Sequence, residues 1–308
     1  MTRAAMPPAD DLLARALAED FGVVPEVFLG GGVSDVLARD VTTAALVGPD
    51  VRYAGRLVCR EAGVVCGIGY AARVWELLAA ASGRRAPSVI ALAEDGEHVT
   101  PGTAVARVEG SAAVVLGGER TALNVIMVLS GIATEAARWQ KAAGSCVTVL
   151  DTRKTLPGLR TLSKWAVKIG GATPHRAGLW DMLLIKDNHL RLAGGVPAAV
   201  QAAHGANPGM IVAVEADTVS HAIEAARAGA DIVILDNLDD PALTAAVAAV
   251  RHESSLTGKR VFTEASGGVT LGRFAQVVAT GVDRVSTSAL ALARPLDLGL
   301  DEDPQGGV

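Results

Sequence analysis

Short apolar runs alternate with longer alanine-rich stretches along the second half of the chain. The apolar runs have the length of strands, and stretches such as Val219–Ala228 and Pro241–Arg251 have the length of helices. Strands that alternate with helices in this way predict βαβ units around a parallel sheet. The predicted strands are Val147–Leu150, Met182–Ile185, Ile211–Val214, Ile232–Leu235, Arg260–Thr263 and Asp283–Val285.

A charged or hydroxyl residue follows each of these predicted strands. In a (β/α) barrel the carboxyl ends of the strands line one face, and that face carries the active site. A single polar residue is ordinary where a strand meets a loop, but a succession of them favours a shared mouth. The residues concerned are Asp151, Lys186, Glu215, Asp236, Glu264 and the run Ser286–Ser288.

The N-terminal part of the chain has a different pattern. Helical spacing over Asp10–Asp20 and over Thr121–Ile132 encloses short strand-like segments separated by turns, which predicts an α+β lobe with an antiparallel sheet. These segments are Val51–Val58, Gly63–Ile68, Val89–Leu92 and Thr103–Val108. We therefore expect an N-terminal lobe over residues 1–125 and a catalytic α/β barrel over residues 126–289. The C-terminal tail, residues 290–308, is a candidate to rejoin the lobe.

Composition excludes several classes of protein. Half of the 308 residues are hydrophobic, which allows a large core. The longest charge-free stretch, Leu192–Val214, is broken by prolines and glycines, so it does not predict a membrane span. The net charge of −5 and the lack of a basic tract argue against nucleic acid as a partner. We expect a soluble, cytoplasmic protein with no membrane partner.

The cysteines do not point to a disulfide framework or to a zinc site. The chain has three of them, Cys59, Cys66 and Cys146, and no C-x-x-C spacing. Free cysteine is among the most buried residue types, so buried and inert thiols are expected.

Five basic residues lie on two consecutive βα connections of this acidic protein. Arg153 and Lys154 follow the first predicted strand, His175 and Arg176 follow a pair of glycines, and Lys186 follows the next strand. Such a cluster indicates a multiply charged anion, such as paired carboxylates or phosphates. Lys186 alone is also compatible with a Schiff-base lysine, because neighbouring cations can activate an amine.

Acidic and glycine-rich positions complete the predicted mouth. Glu215 and Asp236 are either counter-ions to the cations or ligands for sugar hydroxyls or Mg²⁺. The turn Ser266-Gly267-Gly268 is expected to lead from a strand into a helix, and exposed backbone N–H groups at such a turn bind phosphate. Gly281 and the segment around Ser288 are expected to supply the other half of that phosphate site.

These motifs, in this order and spacing, resemble the quinolinate phosphoribosyltransferase family, and the resemblance covers nearly the whole chain. The combination of DTRKT, PGLR and LIKDNH is specific to it. The matching segments are Ala18–Asp20, Asp40–Thr43, Glu119–Asn124, Ser130–Thr134, Asp151–Arg160, His175–Asp181, Leu184–His189 and Glu264–Gly268.

The resemblance implies the fold, the reaction and the assembly. The fold would be α/β, an incomplete (β/α) barrel with an N-terminal α+β (open-sandwich) lobe. The reaction would transfer phosphoribosyl from phosphoribosyl pyrophosphate (PRPP) to quinolinate with decarboxylation, which gives nicotinate mononucleotide, pyrophosphate and CO₂ for NAD biosynthesis. The cofactor would be Mg²⁺. The assembly would be a homodimer in which each site is completed by the neighbouring subunit.

The resemblance also implies a role for each site residue. Quinolinate would be held by Arg120 from across the dimer and by Arg153, His175, Arg176 and Lys186. PRPP would be held by Lys154, Glu215, Asp236, Ser266, Gly267, Gly268, Gly281 and Ser288. Lys154, Lys186, Glu215 and Asp236 would be catalytic, and the last two would hold the metal, partly through water and PRPP.

The sequence departs from the family pattern in four places. Pro174 replaces the usual Asn before His175, Ile169 stands where Cys or a small residue is common, Ser288 stands where a glycine is usual, and residues 22–39 look like an insertion. Two alternatives stay open at this point. One is a same-fold phosphoribosyltransferase that acts on another acid, and the other is a Schiff-base lyase that uses Lys186.

Overall fold

The computed structural model describes residues 5–30 and 34–303. The α-helices of the described residues are α1 (Asp10–Phe21), α2 (Val41–Leu46), α3 (Ile68–Ala81), α4 (Ala112–Ala143), α5 (Arg160–Ile169), α6 (Asp187–Ala193), α7 (Val196–Ala206), α8 (Val219–Arg227), α9 (Asp240–Thr257) and α10 (Phe274–Ala279). The strands are β1 (Arg52–Cys59), β2 (Gly63–Val64), β3 (Ser88–Ala91), β4 (His98–Val99), β5 (Ala104–Ser111), β6 (Thr148–Leu150), β7 (Leu183–Ile185), β8 (Val212–Ala216), β9 (Ile232–Asp236), β10 (Phe262–Ser266), β11 (Arg284–Ser286) and β12 (Leu298–Glu302).

The chain divides into two compact units. The first comprises Met1–Ala137, Leu156–Gly170 and Ala293–Val308, and the second comprises Arg138–Thr155 and Gly171–Leu292. The boundary expected after residue 125 falls inside helix α4. The chain changes unit four times, whereas boundaries were expected only after residues 125 and 289.

The first unit contains a four-stranded antiparallel sheet in the order β12-β1-β5-β3. Strand β12 from the C-terminal tail pairs along β1, with Leu300 opposite Leu57. The apolar faces of α3 and α4 lie in the core of this unit, where the Trp75 indole N–H donates to the carbonyl of Val115 at 3.0 Å. The expected N-terminal α+β lobe is confirmed.

Helix α4 is much longer than the predicted segment Thr121–Ile132. By length and composition alone this 32-residue helix could cross a membrane, but half of its most apolar stretch is buried inside the protein. Leu123, Ile126 and Leu129 are almost fully buried, as expected of a core helix in a folded domain.

The second unit is built on a six-stranded parallel sheet in the order β6-β11-β10-β9-β8-β7. Its strands follow the predicted βαβ alternation, and β8 and β9 are buried along nearly their whole length. Strands β6 and β7 form the two edges, so the sheet is open between them. This parallel sheet confirms the predicted α/β class.

The boundaries of the predicted strands differ from the observed ones by up to four residues, and two of these differences change the picture. Strand β10 starts at Phe262, because Arg260 lies outside the sheet with its guanidinium over the Phe262 ring at 4.6 Å. Glu264 is therefore inside the strand and not behind it. Of the predicted strand Gly63–Ile68 only Gly63 and Val64 pair, and Ile68 already begins helix α3.

The segment 22–39 contains two short 3-10 helices, Pro25–Phe28 and Val36–Arg39. The Arg39 guanidinium donates to the carbonyl of Phe21 at 2.8 Å and so ties this segment to the end of helix α1. Residues 31–33 of the expected insertion lie outside the described residues.

The expectation of three buried thiols holds for two of them. Cys59 and Cys66 are fully buried, whereas Cys146 is exposed just before strand β6. Burial raises the pKa of the Cys59 thiol to about 11 and moves that of Cys66 in the same direction. The exposed thiol lies in a loop between α4 and β6, where no packed layer covers it.

We predict that one thiol per folded chain reacts with an aromatic disulfide reagent at pH 8, and that all three react in urea. Thiolate is the reactive form, so burial and the raised pKa values protect Cys59 and Cys66. Absorbance of the released thiol measures the count. The variant Cys146→Ser should remove the reaction of the folded protein, and a second fast-reacting thiol there would contradict this account.

Candidate active site

A cavity of about 450 Å³ opens at the carboxyl ends of the strands of the second unit. Because parallel strands end at the same edge, residues far apart in the chain meet here. The cavity is lined by Thr152, Arg153, Lys154, His175, Arg176, Leu184, Lys186, Glu215, Ile234, Asp236, Asn237, Glu264, Ser266, Gly267, Gly268 and Ser286. The structure thus brings together all five predicted cations, both predicted carboxylates and the predicted Ser-Gly-Gly turn.

Two guanidinium groups lie on one side of the cavity. Arg176 is anchored because its Nη1 donates to the carbonyl of Met182 at 3.0 Å. Burial lowers the pKa of Arg176, and the positive charge of Arg153 lowers it further. Each guanidinium is therefore unfavourable for the other, and an anion placed between them would relieve the repulsion.

The imidazole of His175 is engaged at both ring nitrogens. Its Nδ1 accepts the backbone N–H of Arg176 at 2.7 Å, and its Nε2 lies 3.2 Å from Glu264 Oε1. An Nδ1 atom that accepts a hydrogen bond carries no proton, so the ring is the neutral tautomer protonated at Nε2. The predicted contact of His175 with quinolinate stays a prediction, and the structure shows both ring nitrogens in contact with protein groups.

Glu264 is a carboxylate in the middle of a buried strand, with its side chain 1% exposed. Arg284 Nε lies 3.2 Å from Oε2, and Ser286 hydrogen bonds to the same group. Burial raises the pKa of Glu264, but the hydrogen bond with His175 and the charge of Arg284 outweigh this effect, so the pKa lies below its usual range. Glu264 is therefore a carboxylate anion at neutral pH, buried next to the cavity that it lines.

The two predicted metal ligands end neighbouring strands. Glu215 on β8 is paired with Lys186 Nζ, and Asp236 at the end of β9 accepts from Asn237 Nδ2 at 2.9 Å. Within the described ranges no group of three or more His, Cys, Asp or Glu could hold a metal by itself. Two oxygen ligands suit Mg²⁺, which takes most of its other ligands from phosphate and water.

The Ser-Gly-Gly turn is formed by close contact with the neighbouring strand end. The Asn237 N–H donates to the Ser266 carbonyl at 2.9 Å, and Gly267 has a φ of 77°. A Cβ on Gly267 would lie 2.3 Å from Asn237 Oδ1, so a larger residue there requires Asn237 to shift and also carries the cost of the positive φ. The expected helix N-terminus is wrong here, since the next helix begins only at Phe274.

Three predicted site residues are not among those that line this cavity. Gly281 lies at the amino end of β11 and its carbonyl accepts from Arg251, at the sheet edge opposite to the cavity. Ser288 follows β11, and its carbonyl accepts the N–H of Leu292 at 3.1 Å. Arg120 belongs to the first unit, where it is exposed on α4.

Arg120 lines a different cavity, of about 400 Å³, with Glu19 and Asp20 of helix α1. The hydroxyl of Thr121 donates to Asp20 Oδ2 at 3.3 Å and links the two helices of this cavity. The predicted partner-subunit role of Arg120 therefore concerns a separate surface of the chain.

Sequence reasoning did not predict four residues that line the main cavity, namely Thr152, Leu184, Ile234 and Asn237. It placed Glu264 and Ser286 at the mouth but gave Glu264 no role. The sequence did contain a signal for a role of Glu264, because a carboxylate inside an apolar strand is costly unless it has a function or a partner. The sequence signal for Asn237 was weaker. Among the described residues Asn237 is the non-glycine residue with positive φ (56°), and an Asp-Asn pair after a strand indicates such a turn only weakly.

Two family models and several individual proteins are similar to this chain. The model of the family described as "Quinolinate phosphoribosyl transferase, C-terminal domain" matches residues 132–301, and that of its N-terminal domain matches residues 40–130. The chain is 38% identical over 295 residues to nicotinate-nucleotide pyrophosphorylase (carboxylating) of Mycobacterium leprae, which covers 95% of this chain and 96% of that protein. It is 41% identical over 213 residues to the human protein of the same name, covering 67% and 70% of the two chains.

A solved structure shows the same architecture. The crystal structure of NadC from Streptococcus pyogenes is similar with a TM-score of 0.83 and 31% sequence identity, and the match covers 97% of this chain and 98% of that one. The likeness therefore extends over both units and is not confined to the cavity.

We predict that Gly267→Ala destabilises the protein by about 1 to 3 kcal/mol more than Gly258→Ala. Both glycines have positive φ, so both variants carry the cost of a left-handed alanine, but only the Cβ at 267 meets a neighbouring atom. Urea denaturation of the two variants measures the difference in unfolding free energy. Equal losses would show that Asn237 yields without cost.

Proposed function

Because the chain belongs to the quinolinate phosphoribosyltransferase family, we propose that it transfers phosphoribosyl from PRPP to quinolinate in NAD biosynthesis. The products are nicotinate mononucleotide, pyrophosphate and CO₂. The observation that carries the proposal is the convergence of Arg153, Lys154, Arg176 and Lys186 on one cavity in a protein of net charge −5. Two acidic substrates that repel each other require such a cavity.

Quinolinate is a dianion, and its two carboxylates suit the guanidinium side of the cavity. Arg153 and Arg176 offer planar donor edges to carboxylates, and Lys186 adds a third positive charge at the next strand end. His175 supports this subsite through the backbone of Arg176 and not as a cation. The pair of arginines already repel each other, so binding the dianion relieves a cost present in the free protein.

PRPP suits the other side of the cavity. Glu215 and Asp236 accept hydrogen bonds from ribose hydroxyls, the backbone of Ser266–Gly268 donates to the 5′-phosphate, and Lys154 contacts the phosphates. Gly281 and Ser288, the other two residues predicted for this subsite, are not among the residues that line the cavity.

Mg²⁺ is proposed as the cofactor, held by Glu215 and Asp236 together with oxygens of PRPP. When bound, it neutralises charge on the departing pyrophosphate. Lys186 partners Glu215 within the protein, so this carboxylate is held in position between the two subsites.

The chain's residues contribute mainly by position and fixed charge. The pyridine nitrogen of quinolinate attacks C1 of the ribose while the bond from C1 to pyrophosphate breaks, so the two reactants must be held in line. The nitrogen becomes cationic, and the adjacent carboxylate then leaves as CO₂ with its bonding electron pair remaining on the ring carbon, which takes up a proton. Arg153 and Arg176 hold the remaining carboxylate in a preorganised electrostatic site.

Release of labelled CO₂ from carboxyl-labelled quinolinate tests the function directly. We expect release that requires both PRPP and Mg²⁺, with equimolar nicotinate mononucleotide. Release with another pyridine or aromatic acid, and none with quinolinate, would favour a related transferase with another substrate. A borohydride-stable adduct at Lys186 with a carbonyl compound would instead favour the Schiff-base lyase.

We predict that Arg153→Ala weakens quinolinate binding by about 2 to 5 kcal/mol, the range for removing one partner of a buried charge pair. The KM for quinolinate should rise accordingly, while the KM for PRPP changes little. The matched control is Lys141→Ala, which removes an exposed cation at the end of helix α4. Steady-state kinetics of both variants decide the point, and unchanged quinolinate kinetics in Arg153→Ala would exclude the assigned role.

We also propose a homodimer in which Arg120 of one subunit completes the cavity of its neighbour. The support for this proposal is the position of Arg120: it is exposed at a separate cavity and does not line the main cavity of its own chain. We further place the protein in the cytoplasm, since all three cysteines are free, as is usual in a reducing compartment.

Mixing Arg120→Ala with Lys186→Ala tests the shared site. Each variant alone should have little activity, and subunit exchange should restore up to about a quarter of the wild-type activity if sites are shared, because one cavity in a hybrid dimer is intact. Size-exclusion chromatography with light scattering verifies that dimers persist. Intact dimers without recovered activity would show that each chain has a complete site.

A further inference from the structure

Glu264 occupies an unfavourable place for a charge, because its side chain is almost fully buried. It lies inside strand β10 with Ile234 of β9 on one side and Arg284 of β11 on the other. A buried carboxylate is costly unless its oxygens meet donors. Since a hydrophobic residue would satisfy the strand as well, the retained charge calls for a task at the cavity that Glu264 lines.

His175 is the neighbour that connects Glu264 to the cavity. The Nε2 of His175 lies 3.2 Å from Glu264 Oε1, and Nδ1 accepts the N–H of Arg176 at 2.7 Å. The backbone N–H of His175 itself donates to Asp151 Oδ1 at 2.6 Å. The ring thus links a buried anion on one side to the backbone of a cavity arginine on the other.

We propose that Glu264 is a positioning residue of the quinolinate subsite: it holds His175 as the neutral Nε2–H tautomer, so that Nδ1 fixes the backbone of Arg176 and aims its guanidinium at the cavity. This inference rests on the proposed function. It assigns to Glu264 and His175 the orientation of Arg176, and no direct contact with substrate.

The tautomer matters because the two ring nitrogens face opposite requirements. A proton at Nδ1 would place two N–H donors, that of the ring and that of Arg176, against each other, and the loop would have to move. A carboxylate can only accept, so Glu264 selects the proton at Nε2. A glutamine there could donate as well as accept, and would remove that selection.

The main variant is therefore Glu264→Gln, which keeps the size of the side chain. We expect the KM for quinolinate to rise by roughly 10- to 100-fold, as a displaced binding group causes, while the KM for PRPP stays within about two-fold of wild type. The matched control is Glu253→Gln, because Glu253 is also buried and paired with an arginine, Arg227, on a helix that contributes nothing to the cavity. That control should lose stability and keep both KM values.

Imidazole ¹⁵N NMR of the wild-type protein tests the tautomer without any variant. We expect the His175 signals, assigned by their loss in His175→Gln, to show a protonated Nε2 and an unprotonated Nδ1 at neutral pH. In Glu264→Gln we expect a mixture of both tautomers. An imidazolium or an Nδ1–H ring in the wild type would overturn the proposal, and so would a folded Glu264→Gln variant with an unchanged KM for quinolinate.

The two levels of inference fail separately. A wild-type protein that releases no CO₂ from quinolinate contradicts the proposed function, whatever the NMR spectrum shows. A wild-type protein that is active while Glu264→Gln is indistinguishable from it contradicts only the role of Glu264.

Discussion

Repulsion between like charges is the constraint around which the second unit is organised. Four cations meet at one cavity, and burial together with Arg153 already lowers the pKa of Arg176. Such groups separate unless the backbone holds them. The parallel sheet provides much of this hold, because Arg153 and Lys154 follow the carboxyl end of β6 and Lys186 follows that of β7. The energy of packing the sheet therefore offsets the cost of a cavity that favours a multiply charged anion.

Two buried carboxylates also help to hold the cations in place. Asp151 is fully buried and accepts from the His175 backbone, and Glu264 Oε1 lies 3.2 Å from Nε2 of the His175 ring. Both carboxylates are more deeply buried than those of Glu215 and Asp236. The site thus contains two classes of carboxylate: one class fixes the loops that carry the cations, and the other is available to ribose hydroxyls and a metal.

Sequence reasoning was reliable where a function depends on the order of strand and loop. The cations and carboxylates after each strand could be placed at one mouth because parallel strands leave no other arrangement. It could not reach details that depend on one hydrogen bond or on the exact start of a strand. The hydrogen bond from the N–H of Arg176 to His175 has no sequence signal, and Gly281 precedes β11 instead of following it. Arg120 could be recognised only from the family resemblance, since no spacing in the chain relates it to the barrel.

A neutral histidine among fixed cations suits the chemistry better than a fifth cation. The nucleophile in the proposed reaction is a pyridine nitrogen with a free electron pair, and a mobile acidic proton beside it would block attack by protonating or hydrogen bonding it. Guanidinium groups keep their protons throughout the physiological range and carry no such risk. With both nitrogens of His175 already engaged, Arg153 and Arg176 supply positive charge at the proposed quinolinate site without exchanging protons with the ring. In the decarboxylation step that follows, the same arginines still hold the remaining carboxylate.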